Sequence, residues 1–147
     1  MKKMPDFLII GAPKAGTTAL YFYLLQHPEL FLPVVKEPFF FAFDSEEREK
    51  FHQKSIIPAV ENAVVNLDSY QALFDEAPEG SIKGEASTIY LASDTAPQKI
   101  HSHLPGIKLM AILRNPVERA YSQYLHFRRD QFEPCETFRE AIEQEST

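Results

Sequence analysis

With one cysteine, no tryptophan and five glycines in 147 residues, the chain is short of several parts on which small proteins rely. Cys135 alone can form no internal disulfide, so packing must hold the fold, and a reducing, cytoplasmic setting is expected. Basic residues are outnumbered, 15 Lys and Arg against 21 Asp and Glu, and the net charge is −6. Nucleic-acid binders need the opposite surplus to displace counterions, so no nucleic-acid partner is expected and any anion site must be local. No apolar run approaches the roughly 18 residues that span a bilayer, so no membrane span is expected. Lys2 and Lys3 precede an apolar stretch, but Lys14 interrupts it too early for a secretory leader. His101 and His103, two apart, would point in different directions on a helix, and no other ligand cluster stands out. No metal is expected.

What is present is the composition of a globular domain, 44% hydrophobic and 24% charged. The length suits a single domain over 1–147 with a modest core. Its organising stretch is Phe7 to Leu25. The apolar run Phe7 to Ile10 predicts a central parallel strand buried on both faces. It drives into Gly11, Ala12, Pro13, Lys14, Ala15, Gly16, Thr17 and Thr18, and then into a helix over Ala19 to Leu25. Strand, glycine loop and helix start together form an anion cradle, with backbone N–H groups and the positive helix end meeting at one point. The spacing approaches a Walker A loop, yet Thr17 stands where that motif needs lysine, and the lysine moves to Lys14 at the loop's tip. The alternative is a plain strand-to-helix turn with an exposed lysine. The helix is apolar nearly all round, which predicts cover on more than one side.

Between Pro33 and Pro38 lie Val34, Val35, Lys36 and Glu37, backed by Phe39, Phe40 and Phe41. Rigid extended chain here would present the Lys36–Glu37 pair in a partly dry cleft; a surface charge pair beside a hydrophobic plug is the alternative. Asp44 to Lys54 predicts a short exposed helix, and Asp68 to Ala77 a helix burying Tyr70, Leu73, Phe74 and Ala77. Ser81 to Ser87 suits a strand with Glu85, Ser87 and Tyr90 near its carboxyl end, either facing ligand or capping the next turn. A helix is expected over Ala92 to Leu104.

The second informative stretch runs from Ile107 to Tyr124, again an apolar strand entering a helix. Asn115 is placed as N-cap, Pro116 at the first helical position, and Glu118 where a capping-box acid belongs. Val117, Ala120, Tyr121 and Tyr124 form the expected buried stripe. Arg114 at the strand's end suits a phosphate held by its guanidinium, with Ser122 donating a further bond. Otherwise Arg114 pairs with a local acid and Ser122 packs quietly. Two strand-to-helix units opening on one edge fit a ligand with two separated phosphate-like groups, and predict an α/β fold with a central parallel sheet flanked by helices in three layers.

These stretches resemble the sulfotransferases that use 3′-phosphoadenosine 5′-phosphosulfate (PAPS). Pro13 to Thr18 looks like their 5′-phosphosulfate loop, Leu113 to Tyr124 like their 3′-phosphate motif, and Lys36 to Phe39 like the Lys-Glu-Pro segment of the heparan-sulfate-type branch. The resemblance runs over essentially the whole chain and implies that 1–147 corresponds to the N-terminal portion of a longer, P-loop-like domain. It implies PAPS as co-substrate, no metal, and a hydroxyl or amine acceptor such as a carbohydrate or small molecule. Lys14, Ala15, Gly16, Thr17 and Thr18 would hold the 5′ group, Arg114 and Ser122 the 3′-phosphate, and Glu37 would be the catalytic base beside Lys14. Phe39 stands where that branch often carries histidine, so a heparan-like acceptor does not follow. The alternatives are a non-catalytic PAP- or PAPS-binding remnant and, against the evidence of Thr17, a P-loop nucleotide kinase or NTPase. An exposed apolar edge where further chain would pack predicts self-association.

Overall fold

The computed structural model describes residues 4–44 and 63–145. Four strands, β1 (Phe7–Gly11), β2 (Leu30–Phe31), β3 (Ile82–Ala86) and β4 (Lys108–Ala111), form one parallel sheet in the order β2-β3-β1-β4. Five α-helices are described, α1 (Thr17–Leu24), α2 (Leu67–Ala72), α3 (Ala96–His103), α4 (Pro116–Arg129) and α5 (Phe138–Glu145), with a 3₁₀ turn over Thr88–Ala92. This is the expected α/β architecture, with β1 inside the sheet as its unbroken apolar run requires. Because the strands are parallel, the loops after β1, β3 and β4 leave from the same edge.

Alternation along β1 divides the core. Leu8 faces a layer of Phe39, Phe41, Tyr70, Phe74, Tyr90 and Ile100, whereas Phe7 and Ile9 face Tyr21, Leu32 and Ala86. Gly84 of β3 pairs with Phe7, and its missing side chain is what lets that ring lie flat against the strand: a β-carbon there would sit 2.1 Å from Phe7 Cζ.

Several expectations need correction. Helix α1 buries only Thr17 and Tyr21, while Phe22, Tyr23 and Leu25 are exposed. It meets the sheet along one face, and the Tyr21 hydroxyl donates to the Pro33 carbonyl there. Helix α2 ends at Ala72, short of the predicted Ala77, and continues only as turns, although Tyr70 and Phe74 are buried as expected. Its cap is Asn66, whose Oδ1 accepts from Ser69 N at 2.8 Å. The stripe on α4 buries Tyr124 alone; Val117 is 69% and Tyr121 48% exposed. Among the described residues β4 is an edge strand, and α4 is covered where the Tyr124 hydroxyl donates to Cys135 O (3.2 Å) and Glu136 O (2.6 Å) beside Phe138 and where Phe127 meets Phe132. Beyond Asp44, the helix expected over Asp44 to Lys54 lies outside the described residues. Among the described residues no helix is long and apolar enough to cross a membrane.

Candidate functional site

The glycine loop between β1 and α1 is stitched to the neighbouring strand exit. Ala12 N donates to Ile112 O, and Ile112 N to Gly11 O, both at 2.8 Å. Lys14 stands at the tip in left-handed backbone (φ 62°), and Gly16 caps α1 at φ 107°. No atom lies within 4 Å of where a Gly16 side chain would start, so glycine is needed there for conformation and not for space. Thr17 is buried and Thr18 exposed. With no side-chain cap at Gly16, the first N–H groups of α1 are left to the loop's concave side.

The same stitching brings Arg114 to this loop: its Nη1 donates to Lys14 O at 3.4 Å. Its Nε pairs with Glu118 Oε2 at 3.2 Å, so the guanidinium is engaged by a local acid while remaining exposed to solvent. Glu118 therefore does not close a capping box; the helix start rests on Asn115, whose Oδ1 accepts from Val117 N (3.0 Å) and Glu118 N (3.4 Å). Ser122 is half-buried on α4. In the last turns of that helix His126 is held below the usual histidine range, first by burial and then by the Lys14 charge. His126 also lies 3.4 Å from Asp130, as Arg114 lies beside Glu118, so each of these basic side chains has an acid for a neighbour. The sequence reading had not singled out His126.

Glu37 approaches the same edge from the other side of β1. It is not in extended chain: its φ is 63°, and that of Phe39 is 56°. The turn is held by Glu37 N donating to Ala86 O at 2.9 Å, at the carboxyl end of β3. Its carboxylate accepts from Thr88 N (2.8 Å), from the Thr88 hydroxyl (3.2 and 3.3 Å) and from Lys36 Nζ (2.8 Å). Lys36 and Glu37 side chains are each 21% exposed. Thr88 in turn lies against the start of the glycine loop, its carbonyl 3.0 Å from where a Gly11 β-carbon would stand. One threonine therefore links the carboxylate to the loop. Sequence reasoning missed it; the only available sign was a hydroxyl residue directly after the polar end of a strand.

Beneath Glu37 is a second, fully buried carboxyl. Glu85 accepts from the Ser87 hydroxyl at Oε1 and from Tyr70 at Oε2 (3.1 Å). Burial pushes it up to about 7, against the pull of the Ser87, Tyr70 and Tyr90 hydroxyls around it, with Glu37's charge adding to the rise. Tyr70 and Tyr90 are raised well above the tyrosine range, mainly by burial and then by Glu85. Glu85 and Ser87 are 0% exposed and Tyr90 2%, and Ser87 makes no side-chain cap bond to the turn it precedes, so these side chains are interior, which neither reading of the sequence anticipated.

Residues 4–146 match the family described as the sulfotransferase domain. The chain is 31% identical over 123 residues to human heparan sulfate glucosamine 3-O-sulfotransferase 6, covering 84% of this chain and 30% of that protein. It is 33% identical over 129 residues to mouse bifunctional heparan sulfate N-deacetylase/N-sulfotransferase 1, covering 86% of this chain and 13% of that one. The crystal structure of a sulfotransferase from Alicyclobacillus acidocaldarius superposes with a TM-score of 0.81 at 34% identity, over 97% of this chain and 57% of that one. The chain thus spans less than a third of these curated relatives and a little over half of the bacterial structure. With the match running over nearly every residue, from the strand before the glycine loop to the last helix, the chain belongs to the sulfotransferase domain family.

Proposed function

We propose that this chain binds PAPS at the joined ends of β1 and β4 and supports transfer of its sulfuryl group to a hydroxyl or amine of an acceptor such as a carbohydrate or small molecule. The observation that carries this reading is the convergence on one sheet edge of Lys14 with Arg114, and of Glu37 with Thr88 against Gly11. The residues fit such a ligand. A glycine loop with uncapped helix N–H groups, Lys14 and Thr18 suits the 5′ group, while Arg114, with Ser122 on the following helix, suits the 3′-phosphate.

PAPS supplies an electron-poor sulfuryl group already joined to a good leaving phosphate. The acceptor oxygen or nitrogen forms the new bond to sulfur, and the bond from sulfur to the 5′-phosphate oxygen breaks with its electron pair left on PAP. Lys14 and the loop N–H groups stabilise the charge gathering on that oxygen. Glu37 takes the acceptor's proton, its carboxylate aimed by Thr88 and Lys36. Positioning and charge stabilisation carry the catalysis, as in phosphoryl transfer. A nucleoside-triphosphatase reading is weaker, since the side chain in the Walker lysine position is Thr17, which is 4% exposed.

Calorimetric titration with PAP, without added metal, tests this reading. Binding by the parent that weakens about tenfold or more in both Lys14→Ala and Arg114→Ala is expected, each removing a charge-assisted contact. A folded parent that does not bind PAP would overturn it. Glu37→Gln that binds PAP normally and retains full transfer activity would remove Glu37 from the base role.

A further inference from the structure

Three backbone N–H groups hold the loop that carries Glu37, and all three end on the segment from Ala86 to Tyr90. Glu37 N donates to Ala86 O (2.9 Å), Phe39 N to Ser87 Oγ (3.0 Å) and Phe41 N to the Tyr90 hydroxyl (3.3 Å). The loop needs these ties. Left-handed backbone at Glu37 and Phe39 is strained at each residue and persists only where its surroundings enforce it.

Two of the three acceptors are hydroxyls, which accept in a given direction only if their own proton is directed elsewhere. For Ser87, Glu85 is that elsewhere: the Ser87 hydroxyl donates to Glu85 Oε1, leaving its lone pair for Phe39 N. Tyr70 closes the set at Oε2. An apolar residue at 85 would fill the core as well, but would leave the Ser87 hydroxyl free to turn away from the loop. The groups facing Glu85 are Tyr70 from α2, Ser87 and Tyr90 from its own segment, and Glu37 through space.

We propose that Glu85 is a positioning residue for Glu37: it orients the Ser87 hydroxyl so that it fixes the Glu37 loop, and so sets where the Glu37 carboxylate stands against the glycine loop. The positioning is independent of the reaction; its catalytic consequence rests on the reading of Glu37 as base.

The test uses the full chain with Glu85→Gln and Ser87→Ala, the second serving if the first fails to fold. Carbon-13 NMR of the Glu37 carboxyl and amide exchange at Phe39 and Phe41 report the positioning without turnover. Both variants should displace the Glu37 resonance and speed exchange at Phe39 roughly tenfold, with Leu8 and Ile9 in β1 unaffected. An unchanged Glu37 resonance, or exchange rising equally in β1, would overturn the proposal. In PAPS turnover to PAP, Glu85→Gln should lower kcat by about 10- to 100-fold with KM for PAPS unchanged. The Glu37→Gln/Glu85→Gln double variant should then be no slower than Glu37→Gln alone. Multiplying effects would mean that Glu85 acts by another route. A parent that does not turn over, or a fully active Glu37→Gln, would sink the functional reading while the NMR result still decides the positioning.

Discussion

Raising the pH from about 5 to about 8 should remove roughly 3 kcal/mol of stability through Glu85 alone. Burial lifts this carboxyl from an ordinary 4.5 to about 7, and each unit of that rise corresponds to about 1.4 kcal/mol. Between the two values the folded protein keeps a proton that the unfolded chain has released. Folding therefore takes up a proton there, and stability falls as pH climbs from 4.5 toward 7, then levels off once both states are ionised. Solvent screening does not dilute the effect, because Glu85 is 0% exposed. Urea unfolding at a series of pH values, for the parent and for Glu85→Gln, measures it. Glutamine stays neutral throughout, so the difference between the two curves isolates Glu85 from the exposed carboxylates and histidines. The parent should lose about 3 kcal/mol relative to the variant across this range. Parallel curves would refute the reasoning, since they would mean that Glu85 ionises as easily in the core as in water.

Three further outcomes follow from the geometry. Gly84→Ala should destabilise by about 1–3 kcal/mol or more, read as a lower urea midpoint, because the new β-carbon meets the Phe7 ring from a backbone that cannot retreat without breaking the β1–β3 register. Asn115→Ala should cost about 1 kcal/mol, measured the same way, through loss of the cap bonds to Val117 N and Glu118 N. Glu118→Gln should tighten PAP binding by up to about fivefold at low salt, because the exposed Arg114–Glu118 pair, worth at most about 1 kcal/mol, competes with the phosphate for the guanidinium. Unchanged affinity in calorimetry would show that the pair does not compete.

Much of the scaffold was legible because the features that specify it are local. Phe7 to Ile10 reads as a buried strand from four apolar residues in a row, and Asn115 with Pro116 reads as a helix start from cap chemistry alone. What the sequence could not convey was which apolar residues find cover. The Phe22 and Tyr23 side chains on α1 and Val117 on α4 carry the same hydrophobic signature as Tyr21 and Tyr124, and only the position of β4 at the sheet edge and the one-sided seat of α1 separate the exposed from the buried.

The site divides along the same line. Lys14, Gly16 and Arg114 were readable because a strand end, a glycine spacing and a helix start each carry their own signal. Glu37 was readable as a candidate but not in its backbone, since two prolines suggested extended chain where the structure has left-handed turns at Glu37 and Phe39. That conformation is imposed from 48 to 51 residues away, by Ser87, Tyr90 and Thr88. No local pattern announces it. Glu85 shows why: as a polar residue within a strand it read equally well as a ligand contact or as a cap, and only its bonds to the Ser87 and Tyr70 hydroxyls and its complete burial show it to be interior. A carboxyl kept in the core at a price in stability above neutral pH is hard to explain by packing alone, and its place directly beneath the Glu37 loop gives that cost a purpose.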